Sequence, residues 1–194
     1  MLETLIEWDK KLLIWLNSHH TDGLDPVMYY ITQTWFWIPL YGFLIYLIFK
    51  IFKKEAWFVL IGAVLTVLLC DQITSSFMKP FFERLRPSHD PTLDGLLHHV
   101  NNYKGGRYGF SSGHAANTFG IALFVWLVLR SYVKWIWVIF IWAVVMTYTR
   151  IYLGVHFPGD ILVGSLIGLI CGWISYRVSV LLLNRYRTKH LNGA

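Results

Sequence analysis

The chain has 194 residues, of which 56% are hydrophobic, 18% aromatic and only 14% charged. Soluble domains usually carry about 25% charged residues, so this composition argues against an ordinary soluble domain and predicts a polytopic membrane protein. The formal net charge is +6, and the accumulation of lysine and arginine in cytoplasmic loops of membrane proteins explains it without nucleic acid binding.

Residues 1–22 mix apolar and charged side chains at the spacing of a helix. Leu5 and Leu12 belong to the apolar positions, whereas Glu7 and Lys11 belong to the charged ones. This pattern predicts an amphipathic helix that lies in the membrane interface, with a short first span as the alternative. The segment lacks the features of a cleavable signal peptide, so the first membrane helix is expected to serve as the insertion signal.

Five further segments are apolar over lengths close to or above the thickness of a bilayer core, and they are predicted to span it. In chain order they are residues 26–49, 56–78, 113–129, 135–149 and 161–183. The polar segment between the second and the third predicts an irregular, outward-facing cap and active-site loop at residues 79–112. The predicted fold is all-α: residues 1–194 form one membrane-embedded bundle of about five spanning helices plus the N-terminal amphipathic helix.

Basic residues near the helix ends orient the predicted bundle. If the spans alternate in direction, three basic groups fall on one side, which the positive-inside rule makes cytoplasmic. They are Lys50, Lys53 and Lys54; Arg130 and Lys134; and Arg185, Arg187 and Lys189. The opposite side then carries the cap, which is basic as well, so its cations need a separate explanation.

Three short motifs place cations and imidazoles at the ends of the apolar runs. In chain order they are Lys79-x6-Arg86-Pro87, Ser111-Ser112-Gly113-His114 and Arg150-x5-His156-x3-Asp160. Charges inside membrane segments are costly and therefore indicate a functional site. The set suits a phosphate group, because cations hold its oxygens, one histidine can attack phosphorus and another can protonate the leaving group.

In their order and internal spacing these motifs resemble the three signatures of the type 2 phosphatidic acid phosphatase (PAP2) superfamily. The likeness covers residues 79–160, and the arrangement of helices extends it over most of the chain. It implies a helical core shared with the haloperoxidases and phosphate chemistry without a metal or other cofactor. Two positions depart from the family pattern, Ser111 in place of proline and Thr149 in place of serine, and neither removes a catalytic group.

His156 is the candidate nucleophile, and its ring must be neutral and oriented to attack phosphorus. Asp160, near the start of a helix that Pro158 begins, can accept a hydrogen bond from the other ring nitrogen and stabilise the charged ring that forms. His114 is the candidate general acid, which later activates water. The structural alternative is a buried histidine bonded to a nearby carboxylate, which explains this pair but not the other motifs.

Lys79, Arg86 and Arg150 are the candidate phosphate clamp, since fixed cations stabilise the charge that grows on the phosphoryl oxygens. Ser112 and Gly113 stand at the start of an apolar helix, where free backbone N–H groups form an anion site. The structural alternatives are a lysine that snorkels from a helix end and an ordinary serine N-cap. The cap would coexist with the functional role.

Other polar residues are less informative. Arg84 and Arg107 are interpreted as contacts to lipid headgroups or to a second substrate phosphate, and Asp71 as facing a structural partner inside the bundle. His98 and His99 are accompanied by no cysteine or carboxylate cluster, so no metal site is predicted.

The predicted function is that of an integral membrane lipid phosphatase that hydrolyses a lipid phosphate monoester or diphosphate through a phosphohistidine. Undecaprenyl diphosphate is the favoured substrate and lipid A the second, with phosphatidylglycerophosphate and phosphatidic acid as further alternatives. A phosphotransferase that uses the same site and a non-enzymatic transporter are the other classes. The expected location is the bacterial inner membrane, with the site facing the periplasm, no nucleic acid partner and an open oligomeric state.

Overall fold

The computed structural model describes residues 2–191, and its regular elements in this range are helices. They are α1 Leu2–Asn17, α2 Asp25–Ile31, α3 Ile38–Phe52, α4 Ala56–Asp71, α5 Lys79–Phe82, α6 Gly113–Leu129, α7 Ile139–Tyr152 and α8 Pro158–Leu191. The nearest approach to a sheet in this part of the chain is an isolated antiparallel bridge between Leu85 and Tyr108. The all-α prediction is confirmed.

The centre of the bundle is formed by α4, α6 and α8. Glycines of α8 repeat at one-turn intervals along its contact with α6: a methyl group at Gly168 would overlap the carbonyl of Ala116, and one at Gly172 would overlap that of Gly120. In lipid, such small residues let two helix backbones approach and gain van der Waals contact. The close contact fixes the start of α8 beside the start of α6, which is where two of the motifs lie.

Substitution of Gly168 by leucine is expected to destabilise the bundle, because the added side chain has no space between α6 and α8. Overpacking of this kind costs about 1–3 kcal/mol or more. The thermal unfolding midpoint of the detergent-solubilised protein should fall clearly. Gly42→Leu is the matched control, since a side chain at this exposed position of α3 meets open space. Equal midpoints for the two variants would contradict the packing described.

The outer face of α8 is apolar and exposed. Leu162, Leu166, Ile170 and Trp173 follow one another at helical spacing and each exposes about half of its surface or more. Two parts of the chain are apolar and helical enough to cross a membrane: Thr34–Phe82, which the 3-10 turn at Lys53–Glu55 divides into α3 and the path that begins with α4, and Pro158–Lys189. Exposed apolar stripes on such helices are what contact with lipid tails requires.

The structure divides the predicted first span, residues 26–49. Helix α2 ends at Ile31, a short 3-10 turn follows at Thr34–Trp37, and α3 begins at Ile38. Pro39 lies in the first turn of α3, where its missing N–H and fixed φ are tolerated, whereas it would break the interior of a longer helix. The apolar run alone could not show this break.

The predicted second span, residues 56–78, is in contrast one continuous helical path. Helix α4 passes into a π-helical segment, Gln72–Met78, and then into α5. The π segment contains Ser75, whose hydroxyl accepts a hydrogen bond from Lys79 Nζ at 3.0 Å. Single π segments inside helices occur frequently at functional sites, and here the segment leads directly into the first motif.

Helix α1 is formed as predicted, and Asn17 at its end ties it to the protein. The Asn17 side-chain amide donates to the carbonyl of Tyr152 at 2.7 Å, and its oxygen accepts from the backbone N–H of His98 at 2.7 Å. Leu13 is fully buried, whereas Trp8 on the other side of the helix is 71% exposed. The helix is therefore amphipathic in its packing, and its position in the membrane interface stays a prediction.

The segment between α5 and α6 is irregular, with three short 3-10 turns. Its two ends are held together where the backbone N–H of Arg86 donates to the carbonyl of Arg107 at 2.9 Å, and that of Gly109 to the carbonyl of Arg84 at 2.9 Å. This short pairing brings the side chains of Arg84 and Arg86 to the start of α8. The outward orientation of the segment stays a prediction.

Candidate active site

His156 lies in the turn that joins α7 to α8. Gly154 makes this turn with a φ of +66°, a conformation that suits glycine, and the histidine that follows is only 2% exposed. Asp160, in the first turn of α8, accepts from the backbone N–H of Phe157 at 3.1 Å and from His156 Nδ1 at 3.3 Å. Because Nδ1 faces the carboxylate, Nε2 is the ring nitrogen available to attack phosphorus.

The electrostatic surroundings keep this imidazole neutral. Burial lowers the pKa of His156 well below its ordinary value, and the nearby cations Arg86, Arg150, Lys79 and Arg84 lower it further. A nucleophilic histidine must be uncharged, so the direction of this shift suits the predicted role of His156.

The start of α6 lies against the same turn. Ser112 is its N-cap: the hydroxyl accepts from the backbone N–H of Ala115 at 3.3 Å, while its own N–H donates to the carbonyl of Asp160 at 3.0 Å. Gly113 follows without a side chain, and a methyl group there would stand 3.7 Å from Lys79 Nζ. The helix start and the lysine are thus neighbours, as an anion site requires.

Arg86 and Arg150 are both buried, at 9% and 6% exposure. Arg86 Nε donates to the carbonyl of Tyr108 at 3.2 Å. Arg150 Nη1 donates to the hydroxyl of Thr32 at 2.9 Å and Nη2 to the hydroxyl of Tyr103 at 3.2 Å. Thr32 and Tyr103 therefore orient Arg150, one of the residues predicted to bind phosphate. No feature of the sequence indicated this role for them.

Three side chains of this cluster retain buried polar atoms without a hydrogen-bond partner among the described residues: Arg86 Nη1, His114 Nε2 and Arg150 Nε. Leaving such a group unpaired costs about 1–3 kcal/mol, and more if it is charged. His114 lies within the electrostatic influence of Arg150, His156 and Arg86, so the three atoms belong to one site. An anionic ligand with several oxygens would satisfy them together.

The structure brings the eight predicted site residues into one cluster at the meeting point of α5, α6, α7 and α8. They are Lys79, Arg86, Ser112, Gly113, His114, Arg150, His156 and Asp160. Their gathering agrees with the motif prediction, and their chemical roles stay proposals.

The structure gives Arg84 partners that its interpretation from the sequence did not include. Its guanidinium pairs with Asp160 Oδ1 at 2.8 Å and with Asp9 Oδ2 of α1 at 2.7 Å, and it stacks over the ring of Phe157 at 4.1 Å. These contacts are internal and give the guanidinium two carboxylate partners within the protein. The cause is tertiary: Asp9 and Asp160 reach Arg84 from distant parts of the chain.

Two further residues have structural contacts. Arg107 lies over the ring of Tyr108 at 5.6 Å. Asp71 accepts a hydrogen bond from the amide of Asn117 at 2.9 Å, which gives it the predicted structural partner, but its side chain is exposed rather than turned to the interior.

The histidines of the cap take part in ring packing and polar contacts. His98 Nε2 lies 2.8 Å from Asp25 Oδ2, and its ring stacks on that of His20. Within residues 2–191, histidine, cysteine, aspartate and glutamate form no group of three that could hold a metal ion. Catalysis without a metal stays a prediction.

The structure gathers histidines and cations at one end of several apolar helices, an arrangement that suits phosphate chemistry at a membrane surface. The model of the PAP2 superfamily matches residues 60–182, which is more than half of the chain. The chain therefore belongs to the PAP2 superfamily, and the resemblance inferred from the motifs is confirmed. It is a membrane lipid phosphatase and a phosphoric ester hydrolase.

Known relatives agree with this assignment. The chain is 40% identical to the lipid A 4'-phosphatase of Porphyromonas gingivalis over 95% of this chain and 78% of the relative. It is 29% identical to the undecaprenyl-diphosphatase of Sulfolobus acidocaldarius over 90% of this chain and 78% of that protein. Among solved structures, Aquifex aeolicus LpxE is similar with a TM-score of 0.64 and 32% identity, over 86% of this chain and 93% of that one.

Proposed function

We propose that this enzyme hydrolyses a phosphate monoester of lipid A and so removes the phosphate group. The observation that carries the reaction is the set of unpartnered buried atoms on Arg86, His114 and Arg150 beside the His156–Asp160 pair. The choice of lipid rests on similarity, which is 40% to a lipid A 4'-phosphatase and 29% to an undecaprenyl-diphosphatase. The second of the expected substrates is thus supported better than the first, undecaprenyl diphosphate.

In the first half of the reaction, His156 Nε2 attacks phosphorus and the ester P–O bond breaks. Asp160 holds the other ring nitrogen and balances the charge of the phosphorylated imidazole. His114 gives its proton to the departing sugar oxygen, which leaves as a hydroxyl group on the lipid. The product of this half-reaction is phosphohistidine at position 156.

In the second half, His114 takes a proton from water, and the resulting hydroxide attacks phosphorus. The N–P bond breaks, inorganic phosphate leaves and His156 returns to its neutral form. Throughout, Lys79, Arg86 and Arg150 hold the phosphoryl oxygens, aided by the backbone N–H groups at the start of α6. The lipid tails stay in the membrane while the headgroup enters the site.

The proposed setting is the bacterial inner membrane, with the site on its periplasmic face. If the spanning helices alternate in direction, three basic groups fall at the end of the bundle opposite the site. They lie at Lys50 to Lys54, at Arg130 and Lys134, and at the end of α8. The site then opens on the outer surface. Labelling of single cysteines in intact cells, one at each end of the bundle, tests this orientation.

Phosphate release by the purified protein in detergent tests the proposed substrate. Lipid A, undecaprenyl diphosphate, phosphatidylglycerophosphate and phosphatidic acid should be offered side by side, with and without a chelator. We expect the highest kcat/KM with lipid A and no effect of the chelator. Faster release from another lipid would reject the substrate, and transfer to an added lipid acceptor in place of phosphate release would indicate a phosphotransferase.

A further inference from the structure

Asp160 has the most buried of the ionisable side chains that form the bridge described below. Its side chain is completely buried, whereas Arg84 is 26% exposed and Asp9 14% exposed. One carboxylate oxygen faces His156 and the backbone of Phe157, and the other receives a hydrogen bond from Arg84 Nη1 at 2.8 Å. A buried carboxylate without a cationic partner tends to take up a proton, so its charge depends on a contact of this kind.

Arg84 is itself held from the other side. Its second terminal nitrogen, Nη2, donates to Asp9 Oδ2 at 2.7 Å, and its planar group lies on the ring of Phe157. The guanidinium fork therefore bridges two carboxylates that are far apart in the sequence. Lysine, with one flexible ammonium group, cannot reproduce this fixed bridge.

Asp9 also touches the helix that carries Asp160. Its Oδ1 accepts from the backbone N–H of Gly159 at 2.8 Å, in the first turn of α8, where a negative charge is favourable. A methyl group at Gly159 would stand 2.9 Å from Asp9 Oδ2, so glycine at this position permits the approach. The amphipathic helix α1 is thus connected through one side chain to both Arg84 and the start of α8.

We propose that Arg84, held in place by Asp9 of α1, is a positioning residue that keeps Asp160 charged and oriented toward His156. Helix α1 then completes the active site, and it does more than attach the chain to the membrane surface. The inference rests on the proposed role of His156 as nucleophile. Neither Arg84 nor Asp9 is expected to touch the substrate, because their charged groups face each other and Asp160.

Substitution of Arg84 by glutamine tests the proposal. In metal sites, loss of a residue that orients a ligand typically lowers activity about 10- to 100-fold, and we expect a loss of similar size for a residue that orients Asp160. We expect this loss in kcat with KM nearly unchanged, and a partial recovery in Arg84→Lys. A large rise in KM with unchanged kcat would overturn the proposal, since it would show that Arg84 binds the substrate.

A double-mutant cycle with Asp160→Asn separates positioning from general destabilisation. If Arg84 acts through Asp160, adding Arg84→Gln to the Asp160→Asn variant should change kcat by less than about two-fold, because coupled residues are strongly non-additive. If the two losses multiply instead, Arg84 acts by another route and the proposal is wrong.

Asp9→Asn tests the contribution of α1 without altering a catalytic residue. We expect a smaller loss of kcat, and no further loss when it is combined with Arg84→Gln. Lys10→Gln is the matched control, because Lys10 is the next residue of α1 and pairs with Asp90 of the cap at 2.8 Å. It should keep the kcat of the unmodified protein. If Lys10→Gln lost as much kcat as Asp9→Asn, the effect would reflect the attachment of α1 to the protein in general and not the contact between Asp9 and Arg84.

A measurement without turnover separates this inference from the proposed function. Orthovanadate can bond to an attacking nucleophile and then imitates the transition state of phosphoryl transfer rather than the bound substrate. Its binding can be followed by the thermal shift of the purified protein. We expect weaker binding to Arg84→Gln and unchanged binding to Lys10→Gln. If the unmodified protein released no phosphate from any lipid, the proposed function would fail, but vanadate binding would still test the bridge formed by Arg84. Equal vanadate affinity of the unmodified protein, Arg84→Gln and Lys10→Gln would reject the inference.

Discussion

Replacement of His156 by alanine is expected to abolish phosphate release from every lipid that the enzyme hydrolyses. The variant removes the only group proposed to form the covalent intermediate, and loss of a catalytic nucleophile typically lowers kcat by about 10⁴-fold or more. Binding need not change, because the cations that hold phosphate are separate residues. Steady-state kinetics of the purified variant measure the loss.

The intermediate itself can be trapped. Rapid acid-free quenching with radiolabelled substrate should give a phosphorylated protein that is labile to acid and stable to base, and the label should be absent from His156→Ala. His19→Ala is a suitable control, because the ring of this exposed histidine lies against Trp15, with Nδ1 2.7 Å from the Trp15 carbonyl oxygen. Residual activity of His156→Ala above a hundredth of the original would refute the mechanism.

The motifs allowed the candidate residues of the site to be identified because each motif is local. His156, just before α8, and Asp160, in the first turn of α8, are only four residues apart and meet there. Ser112 and Gly113 open a helix whose apolar run is visible in the sequence. Such short-range patterns follow from helix geometry alone. The family resemblance supplied the remaining step, which is the meeting of three distant motifs.

The partners that orient these residues could not be predicted in this way. Thr32 reaches Arg150 across 118 positions, and Asp9 reaches Arg84 across 75. Neither residue belongs to a motif, and each comes from the N-terminal part of the chain, where the sequence indicated only amphipathic or apolar character. Contacts of this range depend on how α1 and α2 pack, which helical periodicity does not encode.

The division of the first predicted span has the same origin. A charge-free run of residues shows only that the segment is hydrophobic. It predicts burial in lipid or protein, but it does not predict that the segment forms one continuous helix. The turn at Thr34–Trp37 places α2 next to α7, where Thr32 contacts both Thr149 and Arg150. The break between α2 and α3 therefore helps to position Thr32 beside Arg150 in the candidate active site.

Substitution of Arg150 by glutamine is the second change expected to have a large effect. Arg150 is buried at the end of α7, and its two terminal nitrogens are fixed by Thr32 and Tyr103 while Nε has no partner among the described residues. A fixed cation stabilises the charge that develops on the phosphoryl oxygens, and loss of one such donor costs about 10²- to 10³-fold in kcat. We expect a decrease of this size, measured with the preferred lipid.

Lysine at position 150 should restore only a small part of the activity, because an ammonium group cannot hold Thr32, Tyr103 and a phosphoryl oxygen in fixed directions. Arg130→Gln is the control for loss of a cation, since Arg130 is exposed at the end of α6 far from the motifs and stacks on Trp126. If Arg150→Lys were fully active, charge alone would suffice at this position. The fixed geometry of the guanidinium would then be irrelevant to catalysis, and the roles of Thr32 and Tyr103 would reduce to packing.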